Sequence, residues 1–228
     1  MKLSVIIPVC NEEKTLAELI EKVVSIDIDK ELIIVDDGSK DKTKEILAGI
    51  RLDAVRIISH DHKRGKGAAI KSALKYASGD TVIIQDADLE YDPEDYYRLI
   101  EPIKSKAVDI VYGSRFLYSK RVTTRFHYLV NQFLTFITNL LFRSSLTDME
   151  TCYKVFTSEI IKDISLESEG FEIEAELTAK ALQRRHRILE VPISYRSRSY
   201  HEGKKISWID GVKSILVLIK IRFFRFDR

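Results

Sequence analysis

Three short clusters of acidic and polar side chains mark this chain of 228 residues: Asn11-Glu12, Asp36-Asp37-Gly38-Ser39 and Asp86-Ala87-Asp88-Leu89-Glu90. Asp86 and Asp88 are two apart, and in extended chain such residues face the same side, so the pair can share one ion. Carboxylate oxygens suit Mg²⁺ or Mn²⁺, and a hard cation held by few protein groups leaves coordination positions for phosphate oxygens. If the loops meet, Asp36, Asp37, Asp86, Asp88 and Glu90 crowd one crevice, and their repulsion calls for a cation. A nucleotide diphosphate suits such a site. Taken singly, each cluster is also ordinary turn composition.

Gly65-Lys66-Gly67 fits neither of two common phosphate loops. A Walker A loop needs Ser or Thr after its Gly-Lys, where Gly67 stands, and the dinucleotide pattern loses its third glycine at Ile70. The run reads as a helix opening whose first N–H groups are available to an anion. His60, His62, His127, His186 and His201 lack partners at zinc-site spacing, and are expected as surface or core residues.

The elements that must position these groups alternate in period. Short β-branched runs at 3–9, 31–35, 54–59, 81–85 and 108–112 alternate with helical patterns at 16–24, 43–50, 68–76 and 96–103. This predicts an α/β fold, a parallel sheet with helices on both faces and a site at the carboxyl ends of the strands. Beyond Gly113 the pattern predicts an apolar-aromatic helix over 126–142, a strand near 152–156, a helix near 172–185, a strand near 188–191, a basic loop and a terminal helix. No repeat or Pro/Gly-rich linker divides the chain, so a single domain over 1–228 is expected.

A content of 45% hydrophobic and 32% charged residues, with nine glycines and four prolines, excludes disordered and collagen-like classes. Cys10 and Cys152 are too few for a disulfide framework, and are expected as buried thiols in a reducing compartment. The net charge of +2 argues against a nucleic-acid partner. It is unevenly spread: residues 1–100 hold 15 basic against 20 acidic side chains and the remainder 22 against 15. A cation site in the first part and an anion-facing surface in the second are the corresponding expectations. The first apolar run is too short for a signal peptide, and no uncharged stretch approaches the ~20 residues that cross a bilayer.

The runs Val5-Ile6-Ile7-Pro8-Val9-Cys10-Asn11-Glu12-Glu13, Ile34-Val35-Asp36-Asp37-Gly38-Ser39, Arg64-Gly65-Lys66-Gly67 and Asp86-Ala87-Asp88 resemble glycosyltransferase family 2. Tyr112-Gly113-Ser114-Arg115, Thr147-Asp148-Met149-Glu150-Thr151-Cys152-Tyr153-Lys154, Glu169-Gly170-Phe171-Glu172-Ile173-Glu174 and Glu190-Val191-Pro192-Ile193-Ser194-Tyr195 are similar to its dolichyl-phosphate mannose synthase branch. The resemblance covers nearly the whole chain. It implies the GT-A fold, a Rossmann-like, mostly parallel central sheet with helices on both faces, here with C-terminal amphipathic helices. Residues 1–112 would form the nucleotide-binding half and 113–228 the acceptor-binding half.

The resemblance also implies roles. Pro8, Glu12 and Asp37 would hold the base and ribose of a nucleotide sugar, with Cys10, Lys66, Asp86 and Arg196 also at the donor. Asp86, Asp88 and Glu90 would hold Mg²⁺ or Mn²⁺. Cys10 stands where an aromatic is usual, and Asp148 to Lys154 departs from the commoner Asp-x-Thr-Ser-Gly-Phe-Arg form, so the donor stays open: GDP-mannose first, UDP-glucose or another next.

The implied acceptor is a polyprenyl phosphate. A phosphate monoester, with a second pKa of about 6, is largely ionised at neutral pH and needs positioning more than a base. Arginine forks suit that task, which singles out Arg115 and Arg125 as catalytic candidates and Arg196 and Arg198 beside them. The 133–142 segment suits a membrane interface, as does the terminal stripe Ile209, Val212, Leu216, Ile219, Phe223 and Phe226, with Lys213, Lys220, Arg222, Arg225 and Arg228 among it. The same stripe is also what core packing produces. A peripheral enzyme on the cytosolic membrane face is expected, with room for a membrane-protein partner. Three rivals remain: transfer to a sugar hydroxyl with Asp148 or Glu150 as base, a nucleotidyltransferase that releases pyrophosphate, and a non-catalytic binding module.

Overall fold

Strands buried on both faces belong inside a sheet, and the residues of 3–9 are nearly all shielded from solvent. The computed structural model describes residues 1–117, 125–197 and 208–224, without the side chains of Arg125 and Trp208. Its seven strands are β1 (Leu3–Val9), β2 (Lys30–Asp36), β3 (Val55–Ser59), β4 (Thr81–Ile84), β5 (Ile110–Ser114), β6 (Lys154–Thr157) and β7 (Ile188–Pro192). The described helices are α1 (Leu16–Ser25), α2 (Thr43–Gly49), α3 (Lys66–Leu74), α4 (Tyr96–Lys104), α5 (Arg125–Phe142), α6 (Ser158–Asp163), α7 (Ile173–Gln183) and α8 (Trp208–Phe223).

The sheet order is β3-β2-β1-β4-β6-β5-β7. β1 pairs in parallel with β2 and β4, β2 with β3, and β5 with β7, so the α/β reading holds. One strand departs from the parallel expectation. β6 runs antiparallel to both β4 and β5, because its chain returns from α5 and enters the sheet from the opposite end. β1 has β2 on one side and β4 on the other, so the loops leaving β1 and β4 diverge and open a crevice at their carboxyl ends. Pro8 lies past the last β1–β4 pairing, Ile6 with Ile84, where a missing N–H costs that ladder nothing.

The main core takes in the faces of β1, β2 and β4 with Leu16, Leu19, Ile70, Leu99 and Ile100 from the helices. A second cluster of Leu134, Met149, Ala175, Ala179, Leu218 and Ile221 fastens α5, α7 and α8 to one another. α8 buries Ser214, Leu218 and Ile221, so the stripe Ile209, Val212, Leu216, Ile219 and Phe223 points outward and is not core packing. α5 likewise exposes Phe126, Leu129, Phe133, Phe136 and Leu140. Phe226, Arg225, Arg228 and Arg198 lie outside the described residues. The six-residue α6 is too short to show a period and had no sequence signal.

Two glycines at the start of α3 serve a close crossing of backbones. Gly65 has φ +112, and a Cβ there would stand 2.2 Å from the Glu169 carbonyl oxygen; one on Gly67 would stand 2.5 Å from that of Ser168. Gly67 and Ala68 donate their N–H groups to Gly170 and Glu169, and Gly65 donates to Asp37. The helix opening is therefore closed by protein carbonyls and not held open for an anion, contrary to the sequence expectation. Gly65→Ala is expected to cost about 3 kcal/mol of unfolding free energy by urea titration, from strain and overlap together. Gly49→Ala, with nothing within 4 Å of the new methyl group, should be neutral or stabilise by up to about 1 kcal/mol.

Candidate active site

The polar clusters sit where the strands end, and hydrogen bonds between loops fix them. After β1, Asn11 takes φ 55; its N–H donates to Ser39 Oγ and its Oδ1 accepts from the Lys40 N–H. The Glu12 N–H donates to Thr43 Oγ1, and the Thr15 hydroxyl donates to the Ala87 carbonyl, which ties the β1 loop to the β4 loop. A cavity of about 450 Å³ opens between them. Its wall includes Pro8, Cys10, Glu12, Asp37, Lys66, Asp86, Asp88, Glu90 and Arg115, along with Glu150, Glu174, Tyr195 and parts of α5 and α8. Asp37 and the Asp86/Asp88 pair thus share one cavity.

Some expected members are elsewhere. Asp36 is fully buried, accepts the Ser39 N–H through Oδ1, and borders a separate recess with Lys44, Ser59 and Asp61. Adjacent residues at a strand end point to opposite sides, so Asp36 and Asp37 could not both enter the cavity. Arg196 is exposed and absent from the cavity wall; its N–H donates to the Glu90 carbonyl. Cys10 is only partly buried and faces the cavity, unlike Cys152, which is buried as expected. Arg125 begins α5, and its side chain is outside the described residues.

Asp37 fastens the 60–65 loop, accepting the N–H groups of Arg64 and Gly65 and lying 2.8 Å from Nδ1 of His60. His60 Nε2 is 2.9 Å from Ser72 Oγ, so this histidine is a satisfied buried group. Lys66 Nζ lies 2.7 Å from Asp86 and 2.9 Å from Glu174, and Glu174 also pairs with buried Lys154. Burial works against the Lys66 charge, but the Asp86 and Glu174 carboxylates outweigh it and hold its pKa well above the ordinary lysine value. Lys66 is thus committed to carboxylates, a partnership the sequence did not signal. Glu90 Oε2 accepts the Tyr195 hydroxyl, and Asp88 Oδ1 accepts the Glu90 N–H.

Arg115 and Asp148 form a bidentate pair, with Nε and Nη2 each donating at 2.7 Å and the Arg115 N–H adding a third bond. The guanidinium carbon stands 5.3 Å from the centre of the Phe116 ring and 5.1 Å from that of Tyr195. Its other terminal nitrogen, Nη1, donates to no described residue. The loop with Asp148 and Glu150 is held from three directions. Glu190 accepts the Thr147 and Asp148 N–H groups, Thr135 of α5 accepts that of Met149, and Asn139 accepts that of Leu146. Glu150 borders the cavity, and its Oε1 is buried with no hydrogen-bond partner among the described residues. Burial, opposed by Lys154 and Arg115 and reinforced by Glu174 and Asp148, pushes its pKa up to about 7.

Among the described residues no group of three or more His, Cys, Asp or Glu side chains is arranged to hold a metal by itself. Asp86, Asp88 and Glu90 nonetheless border the same cavity, and a hard cation that keeps positions for substrate phosphates needs only one or two carboxylates. Also among the described residues, no helix is long and apolar enough to cross a membrane.

Comparison with known proteins places this geometry. The model of "Glycosyl transferase family 2" matches residues 4–165. "Uncharacterized protein MJ1222" of Methanocaldococcus jannaschii is 29% identical over 96% of this chain and 92% of its own length. "Dolichol-phosphate mannosyltransferase" of Pyrococcus furiosus is 29% identical over 90% of this chain, which spans 59% of that longer protein. Glucosyl-3-phosphoglycerate synthase from Mycobacterium tuberculosis, solved with Mn²⁺, uridine diphosphate and phosphoglyceric acid, superposes with a TM-score of 0.76 at 20% identity, covering 99% of this chain and 80% of that one. The strand order is that of a GT-A-like α/β glycosyltransferase, and the chain belongs to glycosyl transferase family 2, similar to its dolichol-phosphate mannosyltransferase branch.

Proposed function

We propose that this protein moves a hexose, mannose from GDP-mannose in the first instance, from a nucleotide sugar to a polyprenyl phosphate at the cytosolic membrane face. One observation carries the acceptor: the two apolar ridges stand beside the cavity. α5 gives Val130 and Leu134 to its wall and α8 gives Gly211 and Ser214. The same helices turn Phe133, Leu140 (69% exposed), Leu216 and Phe223 (68% exposed) to solvent. A soluble sugar acceptor needs no such rim, whereas a lipid whose phosphate enters the cavity leaves its chain among apolar side chains. Lys213, Lys220 and Arg222 on α8 suit anionic lipid. The family membership and the mannosyltransferase relative support the reading, and the uridine diphosphate and Mn²⁺ of the mycobacterial structure support a nucleotide-sugar donor with a divalent cation.

In this proposal Pro8, Cys10, Glu12 and Asp37 face the base and ribose, and Asp86, Asp88 and Glu90 face the diphosphate. A divalent cation bound by those carboxylates supplies positive charge against the leaving diphosphate. Lys66 keeps the Asp86 carboxylate in place beside the cavity. The Arg115 guanidinium, fixed by Asp148, presents a charged edge to the acceptor phosphate, which attacks the anomeric carbon from the face opposite the leaving group and inverts it. A second reading, transfer to a hydroxyl, is favoured by one observation: Glu150 has a buried oxygen without a partner. Asp148, whose two oxygens both bind Arg115, is the weaker of the two bases considered.

Purified protein with labelled nucleotide sugars, Mg²⁺ or Mn²⁺ and polyprenyl phosphate is expected to pass label into organic-extractable lipid and release nucleoside diphosphate. Pyrophosphate release from a triphosphate, or no transfer from any donor, would overturn the proposal. Asp88→Asn should lower kcat about 100-fold, equivalent to roughly 3 kcal/mol, while thermal unfolding stays close to the parent. Asp148→Asn should instead cost about 3 kcal/mol of stability, because it breaks a buried pair. In vesicle sedimentation, Phe133→Glu with Leu216→Glu should weaken binding to anionic liposomes about tenfold or more through lost apolar burial.

A further inference from the structure

We infer that Glu150 is an acceptor-positioning residue whose neutral carboxyl group donates a hydrogen bond to the acceptor phosphate, and whose ionised form repels it. The inference rests on the polyprenyl-phosphate reading above. Its geometric basis is a side chain on the cavity wall whose Oε1 is buried and has no partner among the described residues. A buried polar atom without a partner keeps its desolvation cost uncompensated, so such an atom at a ligand cavity is a place for a ligand's complementary group. Glu190, Thr135 and Asn139 hold the backbone of the loop that leads into Glu150, which keeps the residue at the cavity wall.

The charged groups facing Glu150 are Arg115 from the end of β5, Asp148 from its own loop, Lys154 from β6 and Glu174 from α7. They do not combine into a site for a second anion of fixed charge. Each cation is balanced by a carboxylate, Arg115 by Asp148 and Lys154 by Glu174, so the four groups carry no net charge and only the Nη1 edge of Arg115 remains to meet the phosphate. A carboxylate at Glu150 beside a phosphate dianion would therefore face an unbalanced charge, whereas a carboxylic acid supplies the donor the phosphate lacks. With its proton held up to about pH 7, the free protein has Glu150 largely neutral below that pH and ionised above it. A dianionic ligand raises that midpoint further. Above pH 7, where the acceptor phosphate is already a dianion, the linkage has one sign: acceptor binding weakens as pH rises. General-base catalysis on a hydroxyl has the opposite sign, because the base must lose its proton first.

The test is the acceptor KM of the full-length protein as a function of pH from 6 to 9, with a short-chain isoprenyl phosphate as probe and saturating donor. For the parent, KM is expected to rise about tenfold between pH 7 and 8.5 while the donor KM stays flat. In Glu150→Gln, whose amide donates a hydrogen bond at every pH, the acceptor KM should change less than about twofold over the same span. If that variant follows the parent curve, the inference fails and the acceptor assignment stands. If it folds and binds donor but transfers nothing at any pH while the parent does, Glu150 is needed for the transfer step itself and not as a hydrogen-bond donor, and the inference fails with the acceptor assignment intact. If the parent glycosylates no isoprenyl phosphate at any pH, the acceptor assignment itself fails. Should Glu150→Gln not fold, the parent profile alone decides, since a flat acceptor KM overturns the proposal.

Discussion

One ammonium group sets the geometry of the cavity. Lys66 stands between Asp86, at the end of β4, and Glu174, on α7, and Glu174 reaches on to Lys154 in β6. Four segments far apart in sequence are thereby joined by alternating charges. Buried charges are tolerated only when paired, so none of the four can be neutralised or moved alone without stranding its neighbour. The backbone crossing at Gly65 and Gly67 brings Lys66 within reach of α7, and it works only because neither residue has a Cβ.

The side of the cavity formed by the 144–150 loop is built differently, from hydrogen bonds to backbone. The 144–150 loop has no regular structure of its own, yet α5 and β7 hold its amide groups with Thr135, Asn139 and Glu190. This explains polar residues on the inward side of an otherwise apolar helix: Thr135 and Asn139 serve the loop, while Phe133 and Phe136 face outward. The same helix therefore orients Asp148 and Glu150 and forms part of the exterior rim. Arg115, between Asp148 and the rings of Phe116 and Tyr195, is held more by its surroundings than by its own stem.

Much of this was legible in the sequence. β1 is as the alternation predicts, and six other strands and seven helices fall within a few residues of the patterned segments. That Asp37, Asp86, Asp88 and Glu90 border one cavity follows from the rule that parallel strands leave their loops at one edge. What the sequence concealed depended on pairing across space. The reversal of β6 cannot be read from four residues, only Val155 and Phe156 of them apolar, because periodicity says nothing about direction. Asp36 and Asp37 look alike in the chain and differ only in which side of the strand end they face. The occupation of Lys66 by carboxylates, and of the α3 amides by the 169–170 carbonyls, required knowing which distant segment passes α3.

The placement of β6 has an implication for how such chains can be recombined. β4 presents one edge to β1 and the other to β6, so the first 112 residues on their own would carry an uncovered strand with free N–H and C=O groups, a template for self-association. Grafting a foreign second half onto these first 112 residues would have to reproduce the Thr81–Thr157, Val82–Phe156 and Ile83–Val155 register. The useful unit of exchange is then smaller than half a chain: the α5 segment with its following loop, or α8, each of which can vary while the continuous sheet stays intact.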